Sequence, residues 1–292
     1  MTEDEKMLDL YRGMVWERHK IWLARQYDVP QPWTNDPVLA NRKFTNMFRV
    51  LDPGSQFVFE LQDEDPANVI ARLVFYRLTN KPSTWYAMRA ALGHFPLATE
   101  FVHQQAILFQ ALDAYRKSGN RVFSGAYIIV PEPGTPNDKV GGALRVTGSF
   151  LVNNGRAFLA ATTQEERFSI LRSTPGLGKF LSMQILTDWL YLHPEDEEPD
   201  LSFVVAGPGA IRGAALINSS KKPENVIHDL TVDWRDDPLV RLNKRPLTPM
   251  DVQNTLCEFG KYVRETVNPR KKTPYRPAHP GAQPAPVLPQ WW

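Results

Sequence analysis

The stretch Ser173-Thr174-Pro175-Gly176-Leu177-Gly178-Lys179 lies between two helical patterns, residues 163–171 and 180–192, and leaves the backbone little choice there. Two glycines around one apolar residue predict a tight hairpin in which Leu177 plugs the gap between the helices. Backbone N–H groups then face outward at the start of the second helix, where a phosphate is readily held. The same residues also suit an ordinary corner between two helices.

Punctuation elsewhere is mostly helical. A helix is predicted over residues 4–25, followed by the break Val29-Pro30-Gln31-Pro32. A second is predicted over 37–51, with Asp36 as N-cap and Pro37 at its first position. Residues 65–78 read as another helix, Ser83 or Thr84 opens one that Gly93 ends, and 99–117 runs to Gly119. Residues 121–160 differ: apolar runs at Ala126–Val130 and Phe150–Val152, separated by Pro, Gly and Asn, predict an irregular or weakly β insertion. Capping boxes at Thr163-Gln164-Glu165-Glu166 and Thr248-Pro249-Met250-Asp251 restart helices, the last reaching about residue 265. The expected fold is therefore mainly α with a small irregular or β insertion. We expect one catalytic unit over 1–265, comprising a helical subregion 1–120, the insertion 121–160, the hairpin 163–192 and C-terminal helices 207–265, then a Pro-rich basic tail over 266–292.

Composition excludes several classes. With 292 residues, 42% hydrophobic and 23% charged, the chain resembles an ordinary globular protein. No early apolar run has signal-peptide or membrane-span length, which predicts a cytoplasmic protein without a membrane partner. Cys257 is the single cysteine and reads as a small buried hydrophobe, and the six histidines lack ligand spacing, so we expect neither metal nor cofactor. A net charge of +2 carries no nucleic-acid signal by itself. Arg264, Arg270, Lys271, Lys272 and Arg276 concentrate positive charge at the C-terminus, either as an arm along phosphates or as a solvated tail.

Three further stretches carry candidate chemistry. In the predicted helix, Phe44, Met47, Phe48 and Leu51 form a core stripe, and Arg42, Thr45, Asn46, Arg49 and Asp52 fall opposite. Thr and Asn are weak helix formers, so that face suggests ligand contact as much as a solvated surface. Gly207-Pro208-Gly209-Ala210-Ile211-Arg212-Gly213 reads either as an anion-holding turn or as close backbone packing against a neighbouring helix. The last helix presents Gln253, Asn254 and Glu258. Glu258 is a candidate base or a surface partner of Lys261 or Arg264, and Asp251 serves its capping box.

The hairpin resembles the helix-hairpin-helix of DNA repair glycosylases, which implies a glycosylase-like helical fold and DNA phosphate contacts from Gly176, Leu177, Gly178 and Lys179. Where that superfamily places its catalytic Asp, this sequence has Ala206 and Gly207, with Asp200 upstream. More of the chain, from about Glu17 to Tyr262, resembles the bacteriophage α-glutamyl/putrescinyl thymine pyrophosphorylases, or amino acid:DNA transferases. The resemblance rests on Lys43-Phe44-Thr45-Asn46 with Phe48–Asp52, on Gly207-Pro208-Gly209-Ala210 with Arg212-Gly213, and on Asp251–Asn254 with Cys257-Glu258-Phe259. The first block also resembles the helical domain of phage hydroxymethyluracil DNA kinases, although the sequence has no Gly-rich loop ending in Gly-Lys-Ser or Gly-Lys-Thr.

The transferase resemblance implies an enzyme in an infected bacterial host that acts on double-stranded DNA carrying a modified thymine. It would replace the phosphate or pyrophosphate on a 5-methylene with an amine from an amino acid such as glycine, or from a polyamine, on a flipped base. Arg42, Lys43, Arg49 and Arg212 would meet leaving-group charge, and Asp52, Asp200 or Glu258 would take the amine's proton. Thr45, Asn46, Gln253 and Asn254 would read the base, and Gly207 and Gly209 would form an anion-binding turn. The alternatives are a glycosylase excising a modified base and a non-catalytic DNA-binding module.

Overall fold

A computed structural model describes residues 2–125, 138–196, 203–270, 275 and 284–290. Its helices are α1 (Glu3–Gln26), α2 (Pro37–Asn41), α3 (Pro53–Gln56), α4 (Pro66–Thr79), α5 (Pro82–Leu92), α6 (Ala98–His103), α7 (Gln105–Lys117), α8 (Lys139–Phe150), α9 (Arg156–Ala160), α10 (Gln164–Ser173), α11 (Lys179–Leu192), α12 (Pro208–Ile217), α13 (Pro223–Arg235) and α14 (Pro249–Val267). The chain packs as two compact units, one of residues 1–52 and 200–292, the other of residues 53–199. Among the described residues no helix is long and apolar enough to cross a membrane.

The unit of residues 53–199 is built around α4. Every residue of α4 from Val69 to Thr79 is buried, which makes it a central helix rather than a surface one. It packs against α8, α11 and α6, and α10 lies on α11. Its two arginines are answered inside the core. Arg72 donates to the carbonyls of Pro96 at 3.0 Å, Leu61 and Gln62, and Arg77 forms a two-pronged pair with Asp188 of α11, including Nη2 to Oδ1 at 2.6 Å.

The predicted β insertion is corrected here. Among the described residues there is no strand, only an isolated antiparallel bridge between Leu242 and Arg245. Residues 139–160 form one helical run, α8 passing through a π turn at Leu151–Gly155 into α9. Ala126–Val130 lies outside the described residues. Gly148 lets α8 approach α6: a Cβ there would sit 2.7 Å from the Phe101 carbonyl oxygen. The hairpin forms, with Gly176 at φ +92 and Leu177 buried while Gly176, Gly178 and Lys179 are exposed.

The unit of residues 1–52 and 200–292 has α12 packed along α14, with α1 and α13 against both. Gly209 and Gly213 make that approach possible. A Cβ at Gly213 would lie 2.0 Å from the Leu256 carbonyl oxygen, and one at Gly209 would lie 2.2 Å from Cys257 Sγ. Tyr11 of α1 closes the pair, its hydroxyl 2.6 Å from Thr255 Oγ1 and its ring edge-on to Phe259. The predicted helix over 37–51 is also corrected: α2 ends at Asn41, the chain then runs without helix, and only Arg49–Leu51 closes a 3₁₀ turn. Cys257, predicted to be buried, is exposed.

Two stability measurements follow, each by urea denaturation. Gly213→Ala is expected to cost about 1–3 kcal/mol by forcing α12 away from α14, whereas Gly13→Ala, where nothing lies within 4 Å, should gain about 0.5–1 kcal/mol as an ordinary helix-interior replacement. Arg77→Ala should cost about 3–5 kcal/mol because Asp188 is left charged in the core. A loss under 1 kcal/mol would mean that the pair is not buried as described.

Candidate functional site

The site is built on a non-helical strap, residues 42–48, with extended backbone at its two ends, and the turn after it. Arg42 has φ −126 and ψ 144, and Phe48 is likewise extended. The apolar residues anticipated as core, Phe44, Met47, Phe48 and Leu51, are all buried, although not from a helix. Without helix or ladder, the strap's backbone groups need partners from side chains. Arg18 of α1 provides three donors, Nε to the Thr45 carbonyl at 3.0 Å, Nη2 to the Phe44 carbonyl, and Nη2 to Asn46 Oδ1 at 2.7 Å. From α14, Glu258 accepts from the Thr45 N–H at 3.2 Å, Asn254 Nδ2 donates to Thr45 Oγ1 at 3.1 Å and to the Asn46 carbonyl, and Asp251 Oδ1 accepts from the Arg49 N–H at 2.7 Å.

Asn46 and Arg49, expected on an outward face, are buried at 8% and 4% exposure. Asn46 is the hub of the turn: its N–H donates to Asp52 Oδ1 at 2.8 Å and its Nδ2 to the Leu51 carbonyl at 2.8 Å. Burial of the Asp52 carboxyl raises its pKa to about 7, against the lowering effects of the Asn46 N–H, Arg49 and Arg18, with Glu258 adding to the rise. Arg18 is itself lowered to about 10 by burial and stays a cation at neutral pH. A carboxyl that titrates near neutrality beside buried guanidiniums is suited to taking or giving a proton.

The other expected residues divide. Arg42 pairs with Glu265 at 3.0 Å and donates to the Arg270 carbonyl, and Lys43 is exposed, its carbonyl accepting from Lys261. Glu258 bonds Lys261 as well as the strap. Gln253 is buried in α14. Asp251 closes its capping box with Thr248. Around the glycine-rich turn, the Ala206 N–H is taken by the Glu224 carboxylate at 3.0 Å, Gly207 precedes α12, Gly209 packs on α14, and Arg212 is exposed. The hairpin residues Gly176 to Lys179 belong to the other unit and start α11 at Gly178 without a side-chain cap. Asp200 lies outside the described residues. Among the described residues no three His, Cys, Asp or Glu side chains come together as a metal-binding group.

Sequence reasoning missed Arg18. The signal was available: Tyr11, Met14, Val15, Arg18 and Ile21 recur at helical spacing on the buried face of α1, and a charge in such a series calls for acceptors.

Comparison with known proteins corrects the resemblance to the thymine pyrophosphorylases. The family model that matches is that of the 5-hmdU DNA kinase, helical domain, over residues 5–272. Among curated proteins, a 5-hmdU DNA kinase of Bacillus phage SP10 is 26% identical over 239 residues, which cover 73% of this chain and 36% of that protein. The chain thus matches about a third of its relative's length. No solved structure matches. With its match running over nearly the whole chain, the protein belongs to the 5-hmdU DNA kinase helical-domain family.

Proposed function

We propose that this chain is an enzyme of DNA hypermodification that acts on a 5-substituted deoxyuridine, with Asp52 as its acid–base group. The observation that carries this reading is the placement of the Asp52 carboxyl at the end of the strap, where it accepts from the Asn46 N–H at 2.8 Å in the field of Arg18 and Arg49. The relative's name supports 5-hydroxymethyldeoxyuridine in DNA, or a derivative of it, as the substrate. Phosphoryl transfer from a nucleotide is not assigned to these residues, because the match covers 36% of the named kinase.

The finer reading is displacement at the 5-methylene. The amine of an amino acid such as glycine, or of a polyamine, forms the C–N bond as the C–O bond to phosphate or pyrophosphate breaks. The leaving group keeps the bonding pair, and the ammonium proton passes to the Asp52 carboxylate. Exposed Lys43 contributes positive charge for the leaving group, and Arg49 acts through its field on Asp52. Thr45 and Asn254 meet the base edge with donors and acceptors. As in other enzymes that do chemistry on a base in DNA, the nucleotide is flipped out first. The exposed, uncapped turn at Gly176, Gly178 and Lys179 is the proposed phosphate contact of the other unit.

Duplexes carrying 5-hydroxymethyl-, 5-phosphomethyl- or 5-pyrophosphomethyl-deoxyuridine are to be incubated with a mixture of amino acids and polyamines, with and without nucleoside triphosphate, then digested to nucleosides and analysed by mass spectrometry. An amine joined at the 5-methylene is the expected product. Triphosphate-dependent phosphomethyl product would replace displacement with phosphoryl transfer, and free base with abasic DNA would sink both. Asp52→Asn should fold normally and lose roughly 10²–10⁴-fold in turnover, and the wild-type rate should rise with pH through about 7, where the base ionises.

Stability has the opposite trend. The folded Asp52 pKa lies above the ordinary 3.8, so the stability it contributes is present below about pH 4 and lost as pH rises through about 7. Asp52→Asn should flatten that slope in denaturation curves. An unchanged slope and an unchanged rate profile in the variant would remove Asp52 from the mechanism.

A further inference from the structure

The geometry points to a phosphoryl-anion site in the cavity beside α1 and α2, with Arg18, Arg25 and Arg42 as its ligands. The cavity is about 100 Å³, and Trp33, Phe44 and Tyr275 give it aromatic walls. That is room enough for a phosphoryl head group. None of its described lining residues is Asp or Glu, and the carboxylate partner of Arg42, Glu265, lies outside the lining.

The donors are held ready for an anion. Arg18 is 6% exposed; its Nε and Nη2 are committed to the strap, and its buried Nη1 has no hydrogen-bond partner among the described residues. The Arg25 Nε is likewise buried and unpartnered among the described residues, while its guanidinium lies over the Trp33 ring at 5.4 Å. Arg42 is fixed by Glu265 and the Arg270 carbonyl. Tyr275 is tied to the same region by its N–H, which donates to the Asn41 carbonyl at 2.9 Å. Thr34, also in the lining, has its hydroxyl turned to Glu17 at 2.7 Å and adds little to recognition.

Buried donors without acceptors are uncommon in native proteins, and both of these belong to side chains that line the cavity. A carboxylate is matched by a single guanidinium fork, whereas a phosphoryl group presents three oxygens and up to two charges, which suits three guanidiniums. The group is either inorganic, as phosphate or pyrophosphate, or is carried on DNA. The site shares Arg18 with the surroundings of Asp52 but stands on binding alone.

The test is isothermal titration of the full chain with inorganic phosphate, pyrophosphate and glycine, and with a short duplex carrying 5-phosphomethyl-deoxyuridine against the same duplex carrying thymidine. Arg25→Gln is the main variant, because Arg25 bonds no strap carbonyl and its loss should leave the melting curve unchanged. Saturable one-to-one binding of phosphate or pyrophosphate, weakened at least tenfold in Arg25→Gln, would identify an inorganic ligand. An Arg25-dependent preference for the phosphomethyl duplex, without inorganic binding, would place the phosphoryl group on DNA. Trp33→Phe should bind similarly but lose the ligand-induced change in tryptophan emission, locating the event at this cavity. Glycine binding as tightly as pyrophosphate, or no phosphoryl ligand distinguishing wild type from Arg25→Gln, would overturn the proposal.

Discussion

A guanidinium on the core face of a helix has to be met by acceptors, and Arg18 is the cation on which the N-terminal half of its unit depends. Left unanswered, such a charge costs several kcal/mol. Its Nε and Nη2 reach the Phe44 and Thr45 carbonyls and Asn46 Oδ1, and those groups are available only because residues 42–48 are not helical. A helix there would have used its own carbonyls internally. The non-helical strap in turn leaves N–H groups that Glu258 and Asp251 of α14 accept, so one buried cation sets the conformation of the segment that ends in Asp52.

This dependence explains what could be read from the sequence. The boxes Thr163–Glu166 and Thr248–Asp251 close within four residues, and both were legible and formed. α4 was legible because Asp65, Pro66 and a mostly apolar stretch agree. The strap was not, since Phe44, Met47, Phe48 and Leu51 have helical spacing while its partners lie on other helices, Arg18 on α1 and Glu258 and Asp251 more than 200 residues away on α14. Residues 139–160 were misread for a related reason. Their glycines and asparagines resemble punctuation, yet Gly148 serves the contact of α8 with α6, which only the tertiary fold reveals.

The candidate chemistry was legible as a set of residues rather than as an arrangement. Asn46, Asp52, Asn254 and Glu258 do converge, but the residues around which they converge include Arg18, which carried no motif. Several residues behind the family resemblance have structural work to do: Gly209 and Gly213 seat α12 on α14, and Asp251 fixes both a helix start and the Arg49 N–H. Such residues record a scaffold, and one scaffold hosts more than one reaction. The block from Lys43 to Asp52 also resembled the kinase helical domain, and the match over residues 5–272 identified that family.

The interrupted connectivity of the first unit bears on how the protein is made. Residues 53–199 are contiguous and form one compact unit, whereas α1 packs on helices that follow this stretch. Tyr11 waits 244 residues for Thr255. At ribosomal rates of about 5–20 residues per second, that is roughly 10–50 s during which the apolar face of α1 is outside the ribosome without its partner. The middle of the chain can thus fold first, and the two ends close their shared core after synthesis of α14.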